Sequence, residues 1–84
     1  MKLAGLPNLG LTIIQRLAEV GIARLSSLRR VGPAAAYTRM SVAAGRRLPV
    51  CYYLYSLEGA LQRRDWRTLS SSDKARLRRA AGLP

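Results

Sequence analysis

The 84-residue chain carries fifteen basic side chains against four acidic ones and no histidine, for a formal net charge of +11. A chain of this length makes one domain (1–84) with a modest core, since folding at this size hides only about 60–65% of the unfolded surface. Without histidine the commonest general base and metal ligand are missing, and one cysteine with four separated carboxylates builds no zinc site, calcium site or internal disulfide.

Alanine, leucine and arginine dominate, phenylalanine is absent and β-branched residues are scattered, which favours helices over strands. Met1 to Gly5 has room for one helical turn at most. Leu6-Pro7-Asn8-Leu9-Gly10 is a turn: proline fixes its own φ, and asparagine and glycine tolerate left-handed backbone. Leu11, Ile14, Leu17 and Ala18 then fall at i, i+3, i+6 and i+7, predicting a helix to about Val20 with that stripe inward and Gly21 closing it. A turn feeding a helix start leaves about four backbone N–H groups without helical partners. Such groups suit a phosphate or carboxylate, which makes the turn at 6–10 a candidate anion site. A helix start that is simply packed into a bundle is the commoner outcome.

A second helix runs from about Arg24 to Val31, carries Leu25, Leu28 and Val31 on one face, and stops at Gly32. Pro33 suits the first position of a third helix, with Ala36, Tyr37, Met40 and Ala44 inward and Gly45 as its stop. Pro49 opens the longest helix, to about Arg63, buried along Val50, Leu54, Leu57 and Leu61. Cys51, inside that apolar run, reads as a buried, reduced thiol. Tyr52, Tyr53 and Tyr55 cannot share one helix face, so one or two of them are partly exposed. Trp66 and Leu69 cap the core. Ser70 to Asp73 resembles a capping box that starts a last helix to about Ala81, with Leu77, Ala80 and Ala81 inward. The expected fold is all-α, a compact five-helix bundle.

The second set of candidates is basic. Arg46 and Arg47 fill a connection, Arg63, Arg64 and Arg67 follow the long helix, and Lys74, Arg76, Arg78 and Arg79 lie near the end. A charge of +11 attracts polyanions, nucleic acid first and an anionic membrane surface second. Any single arginine near a helix C-terminus is also accounted for by the helix dipole, worth about 0.3–1 kcal/mol, or by its stem covering apolar surface. Glu19, Asp65 and Asp73 each have a basic residue within four positions and Glu58 has Arg63 five positions on, and all four read as surface charge partners. There is no Walker loop and no GxGxxG pattern, so no enzyme, cofactor or metal is expected. The N-terminus lacks an apolar signal-peptide core, and no apolar run is long enough to span a bilayer, so the expected setting is cytoplasmic.

Leu6-Pro7-Asn8-Leu9-Gly10 followed by Leu17-Ala18-Glu19-Val20-Gly21-Ile22 resembles the opening of the C-terminal domain of the TfoX/Sxy family. The similarity continues through Leu54-Tyr55-x-Leu57-Glu58-Gly59-Ala60-Leu61, Trp66-Arg67-x-Leu69-Ser70 and Lys74-Ala75-x-Leu77, covering about Leu6 to Ala81. The resemblance implies a helix-hairpin-helix or SAM-like fold and a part in bacterial competence regulation, as a transcriptional coactivator beside a catabolite-type activator. The resulting expectation is a non-enzymatic module that binds DNA through its backbone, without sequence specificity of its own. Asn8, Gly10, Thr12, Arg46, Arg47, Arg63, Arg64, Arg67, Lys74 and Arg78 are its candidate contacts. The alternative is a protein-interaction module docking on an acidic surface of a transcription activator or RNA polymerase. Attachment to an anionic membrane is a third and weaker reading.

Overall fold

Punctuation residues set where the chain turns. In the computed structural model, which describes residues 2–84, α1 spans Leu11–Glu19, α2 Leu25–Val31 and α3 Pro33–Ala44. A π-helical turn over Cys51–Tyr55 runs straight into α4, Ser56–Leu61, and a 3-10 turn at Trp66–Thr68 leads to α5, Ser71–Ala80. Of the opening segment expected to form one turn at most, Met1 lies outside the described residues. From Lys2 onward it makes an isolated antiparallel bridge to Arg24 and a turn closed by the Leu6 N–H on the Leu3 carbonyl, 3.2 Å away.

Helix α3 packs against α1, α2, α5, α4 and the π turn, so the bundle is built round it. Gly32 ends α2 and precedes Pro33, which opens α3 where no helical N–H is needed. Ala36, Tyr37 and Met40 are buried as the periodicity predicts. At its far end Gly45 adopts φ 71°, and the N–H groups of Gly45 and Arg46 donate to Val42 and Ser41, each at 3.1 Å. This double closure needs left-handed backbone, which glycine adopts without strain. The buried Tyr37 hydroxyl donates to the Leu48 carbonyl at 2.5 Å and ties down the connection that follows.

Four sequence expectations are corrected. In α1 the inward residues are Leu17, with Ile13, Ile14 and Val20 packed partly against the core, while Leu11 is 71% exposed and Ala18 is also at the surface. Two stripes share Ile14 and Leu17, and the one carrying Ile13 and Val20 hides more apolar surface than the one ending in Ala18.

The long helix from Pro49 is not one regular α-helix. The Tyr55 N–H donates to the Val50 carbonyl, five residues back, at 3.1 Å, and the Ser56 hydroxyl donates to the Cys51 carbonyl at 3.3 Å. The wider turn buries Leu54, Tyr55, Ser56 and Leu57 in succession, a run that one face of a regular helix cannot provide. It also turns the start of the segment outward. Tyr52 is 67% exposed, and Cys51 is exposed rather than buried.

In α5 the Ser70 hydroxyl caps the helix by accepting the Asp73 N–H at 3.0 Å. Leu77 is buried and Ala81 half-buried, but Ala80 faces solvent because the helix meets the core along one narrow line. Leu69 is buried, and the half-buried Trp66 ring lies 6.1 Å from that of Tyr55. Leu3, Leu6 and Leu9 complete the core from the N-terminal side.

Candidate nucleic-acid interface

The turn ahead of α1 is held by its leucines. Leu6 and Leu9 point into the core, which leaves Asn8 between them at φ 70°. Its side-chain amide donates to the Arg64 carbonyl at 2.8 Å, and its oxygen accepts the Trp66 N–H at 3.3 Å. Asn8 therefore clasps the loop after α4. Beneath the clasp lies Gly59, where a Cβ would overlap the Asn8 amide nitrogen and stand 2.8 Å from the Arg64 carbonyl oxygen. The other non-glycine residue with positive φ, Arg63 at 54°, borders the same loop. Gly10 then precedes α1 in extended backbone, and no side chain caps the helix or places a carboxylate in its first turn.

A groove of about 530 Å³ opens between the start of α1 and the segment after α3. Leu11, Thr12 and Ile13 form one wall, with Asn8 and Gly10 beside them. Arg46, Pro49, Tyr52 and Tyr53 form the other. The Arg16 guanidinium donates to the Tyr53 hydroxyl at 3.2 Å and sits 5.9 Å from the ring centre, bracing the walls. Arg46, placed by the closure of α3, is exposed, and its guanidinium has no partner among the described residues. With Arg47 it also lines a second groove, of about 320 Å³, between the end of α3 and residues 81–83. Asn8, Gly10, Thr12 and Arg46 thus come together, and Arg47 adjoins them.

The remaining basic candidates are drawn into local contacts. Arg64 donates to the Thr68 hydroxyl at 2.8 Å, to the Thr68 carbonyl and to Gln62 at 3.3 Å, closing its own loop. Arg67 grips Asp65 at 2.6 Å, and its side-chain hydrogen bond, seconded by its N–H, lowers the Asp65 carboxyl from 3.8 to about 2. Both groups are well exposed, so this pair adds little to stability. The Lys74 ammonium lies 5.7 Å from the Tyr55 ring and 5.8 Å from that of Trp66. Arg78 donates to the Tyr55 hydroxyl at 3.4 Å and to the Pro84 carbonyl at 3.0 Å. Arg76, outside the candidate set, holds Glu58 at 3.0 Å and Asp73 at 3.4 Å. Asp65 and Asp73 therefore pair with arginines close in sequence, as expected, whereas Glu58 pairs across the fold with Arg76, 18 positions on.

Sequence reasoning missed the clasp, because its partners lie 56 and 58 residues away. The available signal was Gly59 inside a helix, a costly choice unless another chain segment passes close by. Among the described residues no helix is long and apolar enough to cross a membrane.

Among the described residues, four short helices gathered on α3, with an open groove at the start of α1 that carries Arg46, define a small all-α basic domain. The TfoX C-terminal domain profile matches residues 1–81, and the chain belongs to that family. Two crystal structures from Listeria monocytogenes resemble it, each with a TM-score of 0.81. An uncharacterized protein in a triclinic form is 34% identical over 93% of this chain and 86% of its own. A protein of unknown function in a tetragonal form is 30% identical over 94% of this chain and 95% of its own. No curated protein matches the chain.

Proposed function

We propose that this domain is a non-enzymatic regulatory module of the cytoplasm that assists transcription, in competence-type control, by lying against the DNA backbone. The carrying observation is that its positive charge is not consumed internally. Glu58 and Asp73 share Arg76 and Asp65 takes Arg67, while the guanidinium groups of Arg46 and Arg47 stand exposed without a partner among the described residues. Unpaired guanidinium groups release counterions when they meet phosphates, and contact of this kind positions a protein on a duplex without reading sequence. Membership of the TfoX C-terminal domain family supports the regulatory part of the reading.

The test is a titration of random duplex DNA across salt. With six phosphates neutralised, affinity falls roughly a thousandfold between about 50 and about 200 mM salt. Replacing Arg46 and Arg47 with glutamate weakens binding and flattens that slope. Salt-independent binding, or none at low salt, would overturn the proposal. A second reading, docking on an acidic protein surface, is favoured by one observation: exposed Leu11 and Tyr52 share a groove with Arg46.

A further inference from the structure

Leu11, Val42 and Tyr52 are the large apolar side chains exposed among the described residues. Leu11 and Tyr52 lie on opposite walls of the groove at the start of α1, and Ile13 and Pro49 extend those walls with aliphatic surface. A phosphate backbone would leave that surface wet, whereas a bulky side chain from a peptide would cover it. The 530 Å³ of space suits a few side chains rather than a folded domain.

Charge selects the occupant. Arg46 is unpaired at the rim, Arg16 stands behind Tyr53, and no carboxylate lines the groove. The uncapped start of α1 adds partial positive charge on the same side. A second copy of this chain would bring another +11 towards it, so self-association is opposed. We infer that this groove receives a short acidic peptide segment of a partner protein, its bulky apolar side chain seated between Leu11 and Tyr52 and a carboxylate on Arg46. The inference deepens the second reading, docking on an acidic protein surface, and does not rest on DNA binding; because both ligands would use Arg46, they would compete for it.

Fluorescence anisotropy with labelled peptides of about twelve residues, in about 150 mM salt, tests the inference on the whole chain. One peptide sets leucine and tryptophan among aspartate and glutamate. A second replaces the apolar residues with serine, and a third replaces the acids with asparagine and glutamine. The first should bind, and both controls should bind at least about tenfold more weakly. Leu11→Ser and Tyr52→Ser should each weaken the first peptide by about tenfold, while Val42→Ser in the neighbouring groove leaves it unchanged. Because all three side chains are exposed the variants should fold, and circular dichroism melts check this.

No binding by the first peptide, equal binding by the serine control, or indifference to Leu11→Ser and Tyr52→Ser would overturn the inference. So would a single-stranded oligonucleotide or a self-dimer that depends on those same residues. Duplex DNA is titrated in parallel. Loss of duplex binding with peptide binding retained would sink the DNA reading alone, and the converse would sink this one alone.

Discussion

Asn8 and Gly59 are fitted to one another: the Asn8 side-chain amide fills the space that a side chain at position 59 would need, and from there it holds the Arg64 carbonyl at 2.8 Å. On a free helix surface Gly59→Ala would stabilise by about 1 kcal/mol through propensity. Here the added methyl meets backbone, so the expected result is a loss of about 1–3 kcal/mol. For a domain of this size that lowers the melting temperature by about 4–8 °C per kcal/mol. Asn8→Gly loses the clasp but keeps the left-handed turn, whereas Asn8→Ala loses both. The alanine variant should melt lower than the glycine variant by the equivalent of about 1 kcal/mol. Thermal melts of the three variants settle the order.

Tyr37→Phe removes the hydroxyl that meets the buried Leu48 carbonyl at 2.5 Å. An unsatisfied buried carbonyl costs about 1–3 kcal/mol, so the urea midpoint should fall with little change in slope. Because the same bond ties the connection carrying Arg46, the variant should also bind anions less tightly. Anisotropy on the DNA probe reads that second effect.

Asp65 gives the domain a small acid-sensitive element. Its carboxyl is held at about 2 rather than 3.8, first by the side-chain hydrogen bond from Arg67 and then by the Arg67 N–H. A lowered folded pKa means the contribution is complete above the unfolded value and fades as the pH drops from about 4 through about 2. Asp65→Asn should therefore melt slightly below wild type at neutral pH, and the gap should close on acidification. Melts across pH at low salt measure it, and added salt should narrow the gap seen at neutral pH.

Cys51 should react with a thiol reagent in the folded protein, without denaturant, because the π turn leaves it at the surface. A buried thiol would react only on unfolding. Titration of native and denatured samples distinguishes the two, and equal extents are expected.

Helix existence was legible where local chemistry decides it. The Gly32–Pro33 handover, the Gly45 stop and the Ser70 cap all act within a few residues, and each stands where the sequence places it. Orientation was harder, because α1 carries two overlapping apolar stripes and periodicity does not choose between them. Its true face depends on α3, with which it packs. The π turn was invisible for a related reason. Val50, Leu54, Leu57 and Leu61 satisfy a regular helical period, and only burial of Tyr55 and Ser56 beside Leu54 and Leu57 demands the wider turn. At the candidate site the residue types were readable and their neighbours were not. Thr12 and Arg46 are 34 positions apart in sequence, and the end of α3 brings them onto one groove.

The wide turn at Cys51–Tyr55 sits in one rod that serves two sites. At its start Tyr52 faces the open groove, and downstream of it Gly59 faces the Asn8 clasp. The wide turn fits one extra residue into a single helical turn, so deleting one residue here would restore an even pitch and leave everything beyond it in nearly the same orientation. Gly59 would keep its place under Asn8, and the loss would fall on the buried run Leu54, Tyr55, Ser56 and Leu57. A one-residue change of length in this segment is therefore absorbed locally: a lineage that trims the turn keeps the clasp and gives up one place in the buried run.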